Sequence, residues 1–131
     1  MLRPAAGLTL AQARAWYPYP DAVHGFDHIE RVYVLCEQIG QREGADMEIL
    51  LAAALLHDAQ GSHPEEGNRK GHHIQSAGFA GDVLSELGWP IGKIKAVQHC
   101  IRAHRFRGGE KPASLEAKVL FDADKLEPSV A

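Results

Sequence analysis

Cysteine is scarce in this 131-residue chain, which contains only Cys36 and Cys100. Two thiols cannot build the disulfide network that stabilises small secreted domains, and each lies in an apolar helical pattern, where cysteine acts as a small hydrophobic residue. Residues 1–7 lack the apolar core of about 7–15 residues that a secretory signal peptide needs, and no apolar run reaches the roughly 20 residues of a membrane span. We therefore expect a protein of the reducing cytoplasm with no membrane partner.

An excess of positive charge is also absent. The chain has 14 Lys and Arg residues against 17 Asp and Glu residues, which gives a formal net charge of −3. Because proteins that bind duplex nucleic acid present a basic face to its phosphates, we do not expect duplex nucleic acid as the main partner. The length corresponds to one domain over residues 1–131, which is large enough to bury a hydrophobic core.

Strand patterns are missing, since runs that alternate apolar and polar residues are too short, whereas apolar residues recur at helical spacing almost throughout. The sequence therefore predicts an all-α fold, a single compact domain of six helices. Thr9 is expected to cap the first helix, Asp46 the third and Ser114 the sixth, and Gly40 to end the second. The second to sixth helices are expected to cover about residues 21–39, 47–57, 72–87, 91–105 and 115–127, with a long polar loop over 60–71.

Histidine, by contrast, is abundant, with eight residues where average usage gives about three. A surplus of imidazoles in an intracellular domain suggests metal binding. Metal-capable side chains stand on an inward face or at an end of the predicted helices in four places: His28, the pair His57-Asp58, His72 or His73 together with His104, and Asp122-Ala123-Asp124.

The pair His57-Asp58 is the most informative of these. It follows an apolar helix body, residues 49–56, and an unpaired carboxylate buried there would cost several kcal/mol. Asp58 must therefore reach solvent, a cation or a hydrogen-bond donor. Successive helix residues diverge by about 100°, so His57 and Asp58 can share one ion only at a helix end, which is where the sequence puts them.

Three motifs resemble those of the HD-domain metal-dependent phosphohydrolases, an all-helical superfamily named for its His-Asp doublet: residues 27–32 (DHIERV), 55–58 (LLHD) and 122–126 (DADKL). The resemblance covers a core of about residues 21–127. It implies that His28, His57, Asp58 and Asp124 bind one divalent ion. Helical periodicity alone favours Asp122 over Asp124, because Asp122 falls in line with apolar residues of its helix.

Some branches of this superfamily hold a second ion with two further histidines. His72 has the spacing of the first relative to Ser76 and Ala77, and His104 that of the second. Helical register does not separate His72 from His73, so both stay candidates. The resemblance thus implies one ion and leaves room for a second.

The implied chemistry is hydrolysis of a phosphate ester or anhydride by a metal-activated water, with a nucleotide or a similar small phosphate as substrate. Asp58 and Lys125 are the expected catalytic residues, and Glu65, or its neighbour Glu66, is the candidate for proton delivery. Arg31, Arg105 and Lys125 are the candidates for binding phosphate. The first two belong to the DHIERV motif and to a basic stretch over residues 102–111, which could form a cationic rim.

Nitrogen and oxygen ligands together favour Mn, Fe, Co, Ni or Zn, although Mg can bind through the carboxylates. Two other functions fit the same residues: a catalytically inactive module that binds metal or nucleotide, and a di-iron oxygenase. Relatives with a DADKL-like motif commonly continue through further helices, whereas this sequence stops seven residues after Asp124, with Pro128 against helix extension. We therefore expect a minimal domain, completed by a partner subunit in a homodimer, or a shortened chain.

Overall fold

A computed structural model describes residues 8–17, 26–59, 72–104 and 110–126. Within these ranges the chain forms six α-helices and no strand, which confirms the predicted all-α fold. The helices are α1 (Leu10–Ala13), α2 (Phe26–Glu43), α3 (Met47–Leu56), α4 (His72–Glu86), α5 (Ile91–Ala103) and α6 (Leu115–Leu126), and a 3₁₀ turn (Arg14–Trp16) follows α1. The predicted loop over residues 60–71 lies outside the described ranges.

Helix α3 is the centre of the fold. All residues from Leu50 to Leu56 are buried, and every other α-helix except α1 packs along it, with α1 touching it at one end. Burial on all sides agrees with its uniformly apolar sequence, which has no polar face to present to water. Asp46 caps its N-terminus as predicted, because its carboxylate accepts hydrogen bonds from the amides of Glu48 and Ile49. The C-terminus of α3 lies deep inside the protein, because the residues up to Leu56 are all buried.

Helix α2 is longer than the sequence suggested, and the prediction that Gly40 ends it is wrong. The helix continues to Glu43, and Gly44 takes the left-handed conformation at its end, with φ of +80°. Gly40 has another role, since a Cβ atom at this position would lie 2.5 Å from Cδ2 of Leu50 and 2.8 Å from Sδ of Met47. The absent side chain therefore lets α2 approach α3 closely. The predicted start near residue 21 falls outside the described residues.

Helices α4 and α5 form an antiparallel pair that turns at Gly88, whose φ is +81°, and at Pro90. The Gln98 side chain donates to the carbonyl of Ala77 over 3.0 Å, across the close contact between the two helices. Helix α6 starts at the predicted cap, where the Ser114 hydroxyl accepts from the amide of Ala117. None of the helices in the described ranges combines the length and the apolar content needed to cross a membrane.

Candidate metal centre

The ends of three helices meet at one buried point. His28 lies in the first turn of α2, His57 and Asp58 directly follow α3, and Asp124 lies in the last turn of α6. His28 is 4% exposed, His57 is fully buried and Asp58 is 6% exposed, so three polar side chains occupy the interior together. Burial of such groups is favourable only when each is hydrogen-bonded or paired with an opposite charge.

The distances are short enough for one ion. One ligand atom each from His28, His57 and Asp58 lies within 4.8 Å of the other two. Asp124 completes the cluster, because its Oδ1 lies 2.9 Å from Nε2 of His28 and 3.5 Å from Nε2 of His57. Three candidate ligands from distant parts of the sequence therefore lie close together, and the fourth, Asp124, contacts both imidazoles.

Asp124, and not Asp122, faces the two imidazoles. The buried residues of α6 are Ala117, Val119, Leu120 and Ala123, whereas Leu115 and Leu126 are exposed, and so is Asp122. Leu115 and Leu126 are two of the apolar residues that line up with Asp122, and because both are exposed, the periodicity argument for an inward Asp122 was wrong. Asp124 follows Leu120 by four residues, one helical turn, and so extends the buried face.

A backbone hydrogen bond on the far side of the ring, away from the cluster, sets the orientation of His57. Its Nδ1–H donates to the carbonyl of Ala54 over 2.8 Å, one of the carbonyls that the end of α3 leaves without a helical partner. This bond turns Nε2 toward the cluster, where it lies 3.5 Å from Oδ1 of Asp124. Nε2 is buried, and no hydrogen-bond partner for it is found among the described residues. A buried ring nitrogen without a hydrogen-bond partner, next to a carboxylate, fits a metal ligand.

The electrostatics of the cluster are strongly coupled. Burial opposes the charged form of His57, but the nearby carboxylates of Asp124 and Asp58 outweigh it and raise the pKa of the imidazole. Burial alone would raise the pKa of Asp124, yet the contacts with His28 and His57 hold the pKa of this carboxyl well below its ordinary value. Asp124 therefore stays ionised and provides a fixed negative charge at the centre.

His104 lies beside this cluster, with its ring 4.9 Å from that of His57 and nearly perpendicular to it. Its Nδ1–H donates to the carbonyl of Ile101, again at a helix C-terminus. Burial and the charge of His57 lower the pKa of His104 to about 4, so the ring is neutral at physiological pH. His73 is half-buried, and the side chain of His72 lies outside the described residues, so the choice between these two candidates stays open.

The candidates for binding phosphate are more exposed. Lys125 follows Asp124 at the surface, and its ammonium lies 5.5 Å from the centre of the Phe121 ring. Arg31 is exposed on α2, one turn after His28. Glu65, Glu66 and Arg105 lie outside the described residues.

The interpretation of residues 102–111 as a cationic rim needs correction at Arg102. Its guanidinium donates to Glu110, with Nε 2.7 Å from Oε1, and the same carboxylate also accepts from His99. The charge of Arg102 is thus largely neutralised within the protein. Glu110 was the single acidic residue of the stretch, and it pairs with the first of the basic residues.

Tyr17 is a component of the site that sequence reasoning missed. Its hydroxyl donates to the carbonyl of Leu55 over 2.8 Å and accepts from the amide of Asp58 over 3.3 Å. A buried tyrosine hydroxyl generally has a polar partner, but the partners here are 38 and 41 residues away, which no local pattern indicates.

Comparison with known proteins identifies the family. The family model described as HD domain matches residues 25–129, which include all four residues of the cluster. The chain belongs to the HD-domain family. The Bacillus subtilis protein YpgQ is 34% identical over 110 residues, which are 79% of this chain and 50% of YpgQ. This chain therefore spans about half the length of that curated relative.

Solved structures support the same assignment. A predicted HD superfamily hydrolase from an uncultured Thermotogales bacterium superposes with a TM-score of 0.81 at 32% identity, covering 95% of this chain and 69% of the other. A protein from Lactobacillus plantarum gives a TM-score of 0.70 at 27% identity, covering 89% of this chain and 53% of the other. The B. subtilis protein YpgQ, crystallised in complex with ADP, gives a TM-score of 0.66 at 29% identity, covering 92% of this chain and 60% of YpgQ. The resemblance inferred from the three motifs is thus confirmed at the level of the superfamily.

Proposed function

We propose that this HD domain is a metal-dependent phosphohydrolase that acts on a nucleotide or a related small phosphate. One observation carries the proposal: the ligand atoms of His28, His57 and Asp58 cluster at one buried place, and Oδ1 of Asp124 lies close to both imidazole nitrogens. A carboxylate oxygen that close to two nitrogens needs protons on those nitrogens or a cation shared with them. Of the two, membership in the HD-domain family favours the metal ion.

The four side chains would hold one divalent ion through two nitrogens and two carboxylates. Such a donor set suits Mn, Fe, Co, Ni or Zn, with Mg as a weaker candidate. When bound, the ion neutralises the phosphate oxygens and makes water more acidic, which is the chemistry that phosphate ester hydrolysis needs. The protein orients the ligands: Ala54 fixes the ring of His57, and the two imidazoles fix the carboxylate of Asp124. His104 is the candidate ligand for a second ion, because its neutral ring stacks edge-on against His57.

The substrate would contact the surface next to Asp124. Lys125 and Arg31 are exposed cations on the helices that carry Asp124 and His28, so both can reach phosphate oxygens without being buried themselves. We propose Arg105 as a further phosphate contact and Glu65 as the proton carrier. The ADP in the YpgQ crystal supports a nucleotide as the ligand class.

Metal analysis combined with an activity screen tests the proposal. We expect the purified chain to contain, or to take up, one divalent ion and to release phosphate from some members of a panel of nucleoside mono-, di- and triphosphates when Mn²⁺ is present. Asp58→Ala should lose both the ion and the activity, whereas Asp82→Ala, at an exposed position on α4, should keep both. Tight metal binding without phosphate release from any nucleotide would favour a binding module. Consumption of dioxygen by an iron-loaded chain would favour an oxygenase.

A further inference from the structure

Helix α3 ends at a place where its backbone needs outside partners. The last four carbonyls of an α-helix have no amide of the same helix to accept from, and a buried helix end must satisfy them in another way. In a continuing helix the amide of Asp58 would donate to the carbonyl of Ala54. That carbonyl instead accepts from Nδ1 of His57. The positions of both His57 and Asp58 therefore depend on which groups bond to the backbone at this helix end.

The Tyr17 hydroxyl supplies hydrogen-bond partners for the backbone at this helix end. This one group donates to the carbonyl of Leu55 and accepts from the amide of Asp58, at 2.8 and 3.3 Å, so it uses both its donor and an acceptor site on one turn. Tyr17 is only 5% exposed, which keeps water from competing for either bond. The bond to the Asp58 amide fixes the peptide plane from which the carboxylate of Asp58 projects.

The Tyr17 ring is itself held in place. It packs against Phe26, the first residue of α2, with ring centroids 6.3 Å apart, and the guanidinium of Arg14 covers the same Phe26 ring at 5.4 Å. The preceding residue, Trp16, contacts Phe79 of α4 edge-to-face at 5.7 Å. The 3₁₀ turn is thus anchored to two helices, and it holds the hydroxyl at the end of a third.

We infer that Tyr17 is a positioning residue of the metal centre: its hydroxyl fixes the turn after α3, so that Asp58 projects its carboxylate to the point where His57 presents its nitrogen. Asp58 binds the ion in the proposed function, and the inference rests on that function to this extent. The ordering of the turn does not depend on it, because both hydrogen bonds of Tyr17 are made to the backbone.

The variant Tyr17→Phe tests this inference, since it removes one oxygen and keeps the packed ring. Tyr33→Phe is the matched control, because Tyr33 is also a buried tyrosine, on α2, with Glu37 as its charged neighbour. Amide hydrogen exchange at Asp58 is measured by NMR in the metal-free chain, Mn²⁺ affinity by calorimetry, and phosphate release with the nucleotide panel. For Tyr17→Phe we expect Asp58 to exchange at least about ten times faster and Mn²⁺ to bind roughly 10- to 100-fold more weakly, the range for residues that orient metal ligands. Tyr33→Phe should stay within about twofold of the parent chain.

The outcomes separate this inference from the proposed function. Unchanged exchange and Mn²⁺ affinity in Tyr17→Phe, or equal losses in both variants, would overturn the role of Tyr17 even if the parent chain releases phosphate. The expected changes in a parent chain that hydrolyses no nucleotide would support Tyr17 and reject the activity. If the parent chain binds no Mn²⁺, both the proposed metal site and the role of Tyr17 in it are rejected.

Discussion

Nε2 of His28 and Oδ1 of Asp124 lie 2.9 Å apart, although 96 residues separate them in the sequence. This contact joins the first turn of α2 to the last turn of α6, and it brings the carboxylate within reach of His57 as well. A carboxylate accepts hydrogen bonds and cannot donate them, so each nitrogen must offer it a proton or share a cation with it. Asp124 therefore joins the two imidazoles, and in the proposed function it also binds the ion.

The first prediction compares the two aspartates of α6. Asp124→Asn should weaken Mn²⁺ binding at least about 100-fold, because the amide keeps the shape but removes the charge that faces two imidazoles. Asp122→Asn is the matched control, two residues away and exposed, and it should bind Mn²⁺ as the parent chain does. Calorimetric titration of the metal-free proteins measures both affinities. The opposite order would mean that Asp122 is the ligand, as helical periodicity alone suggested.

The second prediction concerns the stability of the metal-free protein in acid. Burial and the charge of His57 lower the pKa of His104 to about 4, whereas an unfolded chain titrates this ring near its ordinary value of 6.5. Between these values the unfolded state binds the proton and the folded state does not, so His104 makes stability fall as the pH falls through this window. We expect the free energy of unfolding to decrease by about 2 kcal/mol between pH 7 and pH 5 on account of this residue.

The variant His104→Gln isolates that contribution. Chemical denaturation of the variant and the parent chain at several pH values gives the difference in unfolding free energy between the two. This difference should shift in favour of the variant as the pH is lowered, even if the variant is the less stable protein at pH 7. A difference that does not vary with pH would show that folding does not lower the pKa of His104.

The third prediction concerns the contact between α2 and α3. Gly40→Ala should destabilise the fold by about 1–3 kcal/mol, because the new Cβ atom would lie 2.5 Å from Leu50 and 2.8 Å from Met47. Gly78→Ala is the control, since Gly78 lies in α4 and, among the described residues, no atom of another element comes within 4 Å of the added Cβ; this variant should stabilise by about 0.5–1 kcal/mol. Denaturant melts of the two variants measure both changes. Equal effects would mean that Gly40 does not set the distance between the helices.

Local features of the fold were predictable because they rest on neighbours in the sequence. Thr9, Asp46 and Ser114 each cap a helix as predicted, since a cap needs only a short polar side chain and amides two or three residues later. The end of α2 was not predictable in the same way. A glycine in a helical pattern marks either a helix end or a close packing contact, and only the position of α3 decides that Gly40 is the second.

The candidate metal centre shows the same difference between features set by neighbours in the sequence and features set by distant contacts. His28, His57 and Asp58 were found from the sequence because their motifs are short and their helix positions follow from periodicity. Asp124 was chosen on the family resemblance, whereas helical periodicity alone favoured Asp122, because it could not show which leucines of α6 are exposed. The role of Tyr17 could not be predicted from the sequence, because both of its hydrogen bonds join it to the backbone at a helix end about 40 residues away.

The last prediction tests the contact with substrate. Lys125 is exposed next to Asp124, so it can meet a phosphate without contributing to the core or to the ion. Lys125→Met should reduce kcat/KM about 10- to 100-fold, which corresponds to the roughly 1.5–3 kcal/mol of a hydrogen bond to a charged group, and should leave Mn²⁺ affinity unchanged. Lys118→Met is the control, since Lys118 is exposed two turns earlier on the same helix, away from Asp124. Because exposed charges are screened by salt, the difference between Lys125→Met and the parent chain should shrink at high ionic strength. A loss shared by both variants would indicate a general effect of positive charge on α6 and would remove Lys125 from the site.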